Sequence, residues 1–499
     1  MRARWLPIVA LAYGLVALAA WRAACVLDGP DADTDAYAHH VIARAILADP
    51  RDLAVHWVWL PLFHYAQVPL VALGGTMDTV RWLNVALSAA LPVVLYAYVR
   101  RTARSGASRT TPEATALVAA LVAAACPIAM QMGTTAQPEP LFALLILGAA
   151  IAFERRRPAW TAALLGAAVL LRYEAWAALV AVAALLAVEP WWRRRKGLPA
   201  ETHARRAWIV VAVPVALILG WAALRAPVDG RWFGFLGQTR QFANDATHTR
   251  LGAARDALYY PVWVPIRVMG AVLPLALFGV VRTVRQQGAR FVAVLLACLG
   301  FVSLSWVTRA SLGLDRHFVC VVPLYATFAA QGAAVLADAV ATGRHPASRR
   351  GPRRPIAPSE SVGRAVVGFV TVLMLGGLCV QLEVWMDNWR ATLRHPWPER
   401  VALGAYLRSI PGTPTVYCDD ATLEILSGLD RHRFDRHWID DPETWRLVEG
   451  SAREEGSVYI ATWRRKLEGH EDVGDIVFTA GVDPAEPTGT GVAVMRVRR

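Results

Sequence analysis

Apolar residues in this chain come in long unbroken runs, not in the alternation of strands or the spaced stripe of a surface helix. Eleven runs stand out, at about residues 5–27, 80–99, 114–131, 140–153, 159–171, 175–190, 207–224, 261–281, 291–308, 317–340 and 364–386. A helix needs roughly 20 apolar residues to cross a bilayer, so such runs predict membrane spans. The polar segments between them alternate in character. The N-terminus and the segments Arg100–Glu113, Glu154–Pro158, Trp191–Arg206, Arg282–Arg290 and Ala341–Arg364 hold about 24 Lys+Arg; the other loops before the C-terminal region hold about 10. Cytoplasmic loops carry the excess of basic residues. The pattern predicts eleven crossings, with the N-terminus in the cytoplasm and the C-terminal region outside.

One run decides the count. Residues 159–188 are interrupted only by Arg172, Tyr173 and Glu174. A single helix there would be about 45 Å long at 1.5 Å per residue, and would leave one basic segment on the wrong side. Two short helices meeting outside at Arg172–Glu174 satisfy both segments. The first outer loop, 28–79, opens acidic with Asp28, Asp31, Asp33 and Asp35, then is helical in pattern over Ala36–Leu47. Its aromatic stretch His56–Tyr65 suits the membrane interface. A second outer loop covers Arg225–Tyr260, and the Pro-, Ser- and Arg-rich stretch 343–363 reads as a flexible connection.

Composition shifts after residue 386. Residues 387–499 hold 19 Asp+Glu against 15 Lys+Arg. Strands are expected at Thr415–Cys418, Ser457–Trp463, Asp475–Thr479 and Val492–Val497, with helices near Glu399–Ser409, Ala421–Leu426 and Pro442–Glu454. The expected architecture is an α-helical polytopic membrane domain over 1–386 and a small extracytoplasmic α/β domain over 387–499. With 56% hydrophobic and 18% charged residues, the chain lies outside the range of soluble enzymes. The net charge of +13 belongs to the loops between spans, so it argues topology and no nucleic-acid partner. The first run lacks a cleavage site and reads as an uncleaved anchor. The six cysteines show no disulfide or metal-ligand spacing. Ala- and Arg-rich usage suggests a bacterial plasma-membrane protein.

The inner segments carry runs of arginine and little else, whereas the outer side carries a mixed set: Asp33, Asp35, Glu139, Arg172, Glu174, Asp315, Arg316 and His317. Asp33 and Thr34 suit a helix cap, and a carboxylate there also suits a general base. Glu139 sits in a rigid Pro-Glu-Pro turn, where a helix dipole favours an acid. Arg172 and Glu174 interrupt an apolar run, where charges are usually paired and functional; a purely structural pair is the plainer alternative. Asp315-Arg-His317 precedes a span, as an interfacial anchor or as a phosphate site. Arg267 is expected to snorkel. The pairs His39/His40 and His56/His64 lack a metal-ligand pattern. No cofactor is expected, and the question of a divalent cation stays open.

Together these motifs resemble the membrane-embedded GT-C glycosyltransferases that use polyprenyl-phosphate sugars, nearest the bacterial arabinofuranosyl- and mannosyltransferase-like branch. Thr34-Asp-Ala-Tyr37 followed by Ile42-Ala-Arg44 looks like that branch's Asp-Asp-Ala-Tyr/Phe first loop and its Ala-Arg helix. Gln137-Pro-Glu-Pro-Leu-Phe142 is similar to its Gly-Leu-Glu-x-x-Leu-Phe turn, and Arg172-Tyr-Glu-Ala-Trp176 to its Arg-Pro-Glu-Gly segment. Arg316-His-Phe before Pro323 resembles its late Arg-Tyr/Phe segment. Thr34, Gln137-Pro138 and Tyr173 depart from the pattern. The resemblance implies about eleven spans and transfer of a sugar from a polyprenyl-phosphate donor to a glycan, lipid or protein hydroxyl at the outer face, with inversion. Asp35 is then the base, with Asp33 in reserve. Arg316, His317 and Arg172 face the donor phosphate, and Glu139, Glu174, Tyr37 and His64 lie at the acceptor or behind these groups. A lipid-linked substrate transporter or flippase is the alternative, but transport sites sit near the midplane, and here the charges gather at one face.

Overall fold

The structure is a computed structural model of the 499-residue chain. It describes residues 2–102, 111–197, 208–245, 253–342, 359–394, 397–412, 414–429, 433–436, 439, 441–455, 457–482 and 491–498. Most of the flexible connection expected at 343–363 lies outside these residues. The described chain forms two compact units, one of residues 1–27 and 46–389, the other of residues 28–45 and 390–499.

Among the described residues the eleven expected stretches are largely helical, with 114–131 broken at Ala125–Cys126, and proline and small polar residues set where several helices begin. The elements are α1 (Arg2–Asp28), α2 (Thr34–Ala48), α3 (Leu62–Ala72), α4 (Met77–Thr102), α5 (Pro112–Ala124), α6 (Pro127–Met132), α7 (Glu139–Glu154), α8 (Pro158–Val169) and α9 (Glu174–Arg195). There follow α10 (Ile209–Asp229), α11 (Gly234–Asp245), α12 (Ala253–Leu258), α13 (Val264–Met269), α14 (Leu273–Gln287), α15 (Ala289–Val307), α16 (Val322–Thr342) and α17 (Ser359–Arg394). Pro112 at the start of α5 lacks an N–H that the helix could not use, and Thr111 caps it by accepting from the Ala114 N–H at 3.2 Å. The 159–188 run breaks where its charges stand, between Val169 and Glu174. Among the described residues seven segments are long and apolar enough to cross a membrane, including Met77–Thr102, Glu174–Arg195, Ile209–Asp229 and Ala289–Val307.

Two ends of the larger unit are marked by separate charge networks, joined by α7. At the Glu154 end, Glu154 accepts from the backbone N–H groups of Arg290 and Phe291 at 3.1 and 3.2 Å, and Glu189 pairs with Arg290 and with Arg156 (3.2 Å). Two of the segments expected on the cytoplasmic side, Glu154–Pro158 and Arg282–Arg290, therefore meet, with Glu189 of the run 175–190 beside them. Where α14 and α16 pack, the backbones come very close: a Cβ on Gly279 would lie 1.8 Å from the Phe328 carbonyl oxygen, and one on Gly332 1.8 Å from that of Leu275.

In the smaller unit, α18 (Pro398–Ser409), β1 (Thr415–Cys418), α19 (Ala421–Ser427), β2 (Phe434–Arg436), α20 (Pro442–Glu455), β3 (Val458–Trp463), β4 (Gly474–Ala480) and β5 (Val492–Val497) follow α17. The strand order is β2-β1-β3-β5-β4, with β1 parallel to β2 and β3, and β5 antiparallel to β3 and β4. Alternation along β1 sends Val416 and Cys418 to a core with Leu403 and Leu407 of α18, and Tyr417 to a core with Trp445 and Val448 of α20. Strand β2 was not expected: Phe-Asp-Arg has no period-2 hydrophobic pattern, and its pairing to β1 is what makes it a strand.

Candidate active site

The opposite end of α7 carries the densest set of buried charges. Glu139 opens α7 directly after Pro138 and is buried. Arg172 lies in the break between α8 and α9. It donates from Nε to both oxygens of Glu174 (3.1 and 3.2 Å), from Nη2 to Glu174 Oε1 (2.9 Å) and from Nη1 to Glu139 Oε1 (2.5 Å). Arg316 Nε stands 3.6 Å from the same Glu139 oxygen. Side-chain exposure is 2% for Glu139, 5% for Glu174, 15% for Arg172 and 13% for Arg316. Burial alone would weaken the hold of Arg172 on its proton, but the charges of Glu174 and Glu139 outweigh it, so the guanidinium stays firmly protonated. Two cations thus meet two anions.

The segment Asp315–Val321 brings its three polar residues to different tasks. His317 turns its Nδ1 toward Ser311 Oγ (3.3 Å) and Tyr260 Oη (3.4 Å), with its ring parallel to that of Tyr260. Asp315 faces Arg267 at 2.7 Å and accepts from Tyr259 Oη at 3.1 Å. Arg267, expected to snorkel alone, has a carboxylate partner.

His64 lies in the same unit, fully buried, with its Nδ1 2.8 Å from His56 Nδ1. Two such nitrogens at that distance require one donor and one acceptor, so the accepting ring is neutral. Burial, followed by the charge of Arg225, lowers the His56 pKa to about 3. The residues that pin this loop escaped sequence reasoning. Arg225 donates to the carbonyls of Leu53 (2.8 Å) and Trp57 (3.2 Å) and pairs with Asp229 at 2.5 Å; Tyr173 donates to the carbonyl of Val58 at 2.8 Å. The i,i+4 spacing of Arg225 and Asp229 at the end of an apolar run was the available signal.

Asp33, Asp35 and Tyr37 belong to the smaller unit. Asp33 caps α2 by accepting from the Asp35 N–H at 3.0 Å, while its own N–H donates to Asp31 Oδ1 at 3.0 Å. Tyr37, expected near the acceptor, is buried, donates to the Asp31 carbonyl at 3.0 Å and meets Trp397 edge-on. Asp28 pairs with Arg390 at 2.5 Å, and Arg44 with the buried Glu424 at 3.2 Å. The acidic turn is therefore built together with the C-terminal segment.

No protein-family model matches the chain, and no curated protein does. Solved structures do. ArnT from Cupriavidus metallidurans in the apo state matches 99% of this chain and 98% of its own, at 15% identity and a TM-score of 0.60. The same protein bound to undecaprenyl phosphate matches 98% and 97%, at 15% identity and 0.57. The oligosaccharyltransferase AglB from Archaeoglobus fulgidus, in complex with an inhibitory peptide and a dolichol-phosphate, matches 94% of this chain and 71% of its own, at 11% identity and 0.55. The chain accordingly has the fold of these proteins, that of an α-helical polytopic membrane protein with a small C-terminal α/β domain.

Proposed function

We propose that this protein transfers a sugar from a polyprenyl-phosphate donor to an acceptor hydroxyl at the outer face of a bacterial plasma membrane. The observation that carries the reading is the end-to-end likeness to a structure that holds undecaprenyl phosphate. The acceptor oxygen attacks the anomeric carbon, the bond from that carbon to the phosphate oxygen breaks with inversion, and polyprenyl phosphate leaves. The acceptor proton passes to Asp35. The leaving phosphate gains negative charge and needs cations more than an acid. Arg316 supplies one, with Arg172 and His317 contributing. Glu139 and Glu174 hold the two arginines, and Tyr37 and His64 order the first loop. In this reading the chain crosses the membrane eleven times, the N-terminus is cytoplasmic, and residues 1–386 are the catalytic domain with residues 387–499 outside.

The test is direct. Purified protein in detergent, given radiolabelled polyprenyl-phosphate sugars and a crude membrane acceptor, should move label to the acceptor and release polyprenyl phosphate. No transfer from any donor, together with movement of the donor across liposomes, would replace this reading with a flippase.

A further inference from the structure

Arg22 is the most anomalous charge in the larger unit. It lies in α1, is 1% exposed, and makes no hydrogen bond or ion pair among the described residues. Arg81 of α4, equally buried, shows what the fold does with an arginine it means to neutralise. It donates to the carbonyls of Thr134 (2.8 Å), Val26 and Cys25 (both 3.3 Å) and pairs with Asp78 at 2.9 Å. A guanidinium buried without a partner is strongly unfavourable, and charges inside membrane helices usually mark the path of a substrate.

Its surroundings are arranged for an anion. Ser88, 7% exposed, also makes no hydrogen bond among the described residues. Both groups converge on Gly133: a Cβ there would stand 2.4 Å from Ser88 Oγ and 2.7 Å from Arg22 Nε. Gly133 has φ −69°, a conformation open to any residue, so its missing side chain serves space and not backbone freedom. A planar fork of N–H donors beside a hydroxyl is the kind of pair that recognises a phosphate. Among the described residues no carboxylate pairs with Arg22.

We propose that Arg22 and Ser88, packed together against Gly133, form a binding site for the phosphate of a membrane lipid, built from residues separate from the Arg172–Arg316 network. The proposal does not require glycosyl transfer. The phosphate can come from a polyprenyl phosphate or from a glycerophospholipid headgroup. Thermal unfolding of the full chain in detergent, titrated with undecaprenyl phosphate, phosphatidylglycerol or the uncharged undecaprenol, distinguishes them. Arg22→Gln should be at least as stable as the parent without lipid, because an unmatched charge has gone. Its affinity for the phosphate-bearing lipid should fall about tenfold or more, the loss expected of one charge-assisted hydrogen bond, and Ser88→Ala should weaken it less. Undecaprenol should give the same result in all variants. A shift with undecaprenyl phosphate alone assigns a polyprenyl lipid; an equal shift with phosphatidylglycerol assigns a headgroup. Repeating the titration on Arg316→Ala separates this site from the donor site proposed above: binding should persist there and fall again on adding Arg22→Gln. Parental affinity in Arg22→Gln in both backgrounds would overturn the inference, as would strong destabilisation of lipid-free Arg22→Gln with unchanged binding by Ser88→Ala.

Discussion

Arg172 connects two carboxylates that nearly vanish from solvent. Truncating it leaves Glu174 without its main cation and Glu139 with the more distant Arg316. Breaking a buried pair from one side typically costs about 3–5 kcal/mol, so Arg172→Ala should unfold in detergent at a clearly lower temperature. Arg172→Lys should recover only part, because an ammonium cannot spread three nitrogens over two partners. An unchanged transition would mean that the network contributes little to the fold. Asp35→Asn should leave a folded protein that binds donor but turns over about 10²–10⁴-fold more slowly, the usual contribution of a general base. Equal loss on Glu139→Gln would move the base assignment. His56 gives a pH test. Its folded pKa of about 3 lies below the ordinary 6.5. Its neutral form therefore supports the fold fully above pH 6.5, and that support declines as pH falls from 6.5 toward 3, by at most about 1.4 kcal/mol per unit. His56→Asn should flatten this part of the stability-versus-pH curve; identical slopes would say that another group controls it.

Among the elements, the pair α14 and α16 depends most on small residues. With Gly279 and Gly332 each facing a carbonyl of the other helix at 1.8 Å from where a Cβ would sit, there is no room for even a methyl group. Such close approach is how membrane helices gain packing energy without a hydrophobic driving force. Gly332→Ala should destabilise by about 1–3 kcal/mol or more, read as a lower detergent melting temperature. Gly220, where a Cβ would meet nothing within 4 Å, is the control. A Gly332→Ala protein as stable as the Gly220→Ala control would show that the two helices can separate freely. In the smaller unit, helix α2 is tied by Arg44 to Glu424, which is 1% exposed. This link joins residues 380 positions apart in sequence, and nothing in either local pattern announces it.

For the whole molecule, topology is the proposal that most exposes the functional reading. With an odd number of crossings and a cytoplasmic N-terminus, a C-terminal alkaline-phosphatase fusion should be active and a green-fluorescent fusion dark. The reverse result would place the C-terminal unit in the cytoplasm and remove the outer-face reaction with it. The geometry bears on this through α7, whose ends lie in two separate charge networks, one of Glu154, Glu189, Arg156 and Arg290, the other of Glu139, Arg172, Glu174 and Arg316. The sequence reading assigned Glu154, Arg156 and Arg290 to one side and Glu139, Arg172, Glu174 and Arg316 to the other, and the two sets make separate contacts in the fold.

The chain's own pattern determined the helical stretches, the break at Arg172–Glu174, the α/β character of the tail and the identity of most charged candidates. Each of these follows from local rules: apolar run length, a charge that an apolar helix tolerates poorly, the two-residue period of a strand. Tertiary structure alone decided which charges meet. It paired Arg172 with Glu139 across 33 residues and Asp315 with Arg267 across 48, made a strand of Phe434–Arg436 by pairing, and grouped the acidic turn at Asp33 and Asp35 with the C-terminal unit. It also left Arg22, one more arginine in an apolar run, without a hydrogen-bond partner for its Nε among the described residues. The reason is physical. A sequence records that a charge must be compensated, but the compensating group is whatever the packing brings within about 3 Å, and that distance exists only in the folded chain.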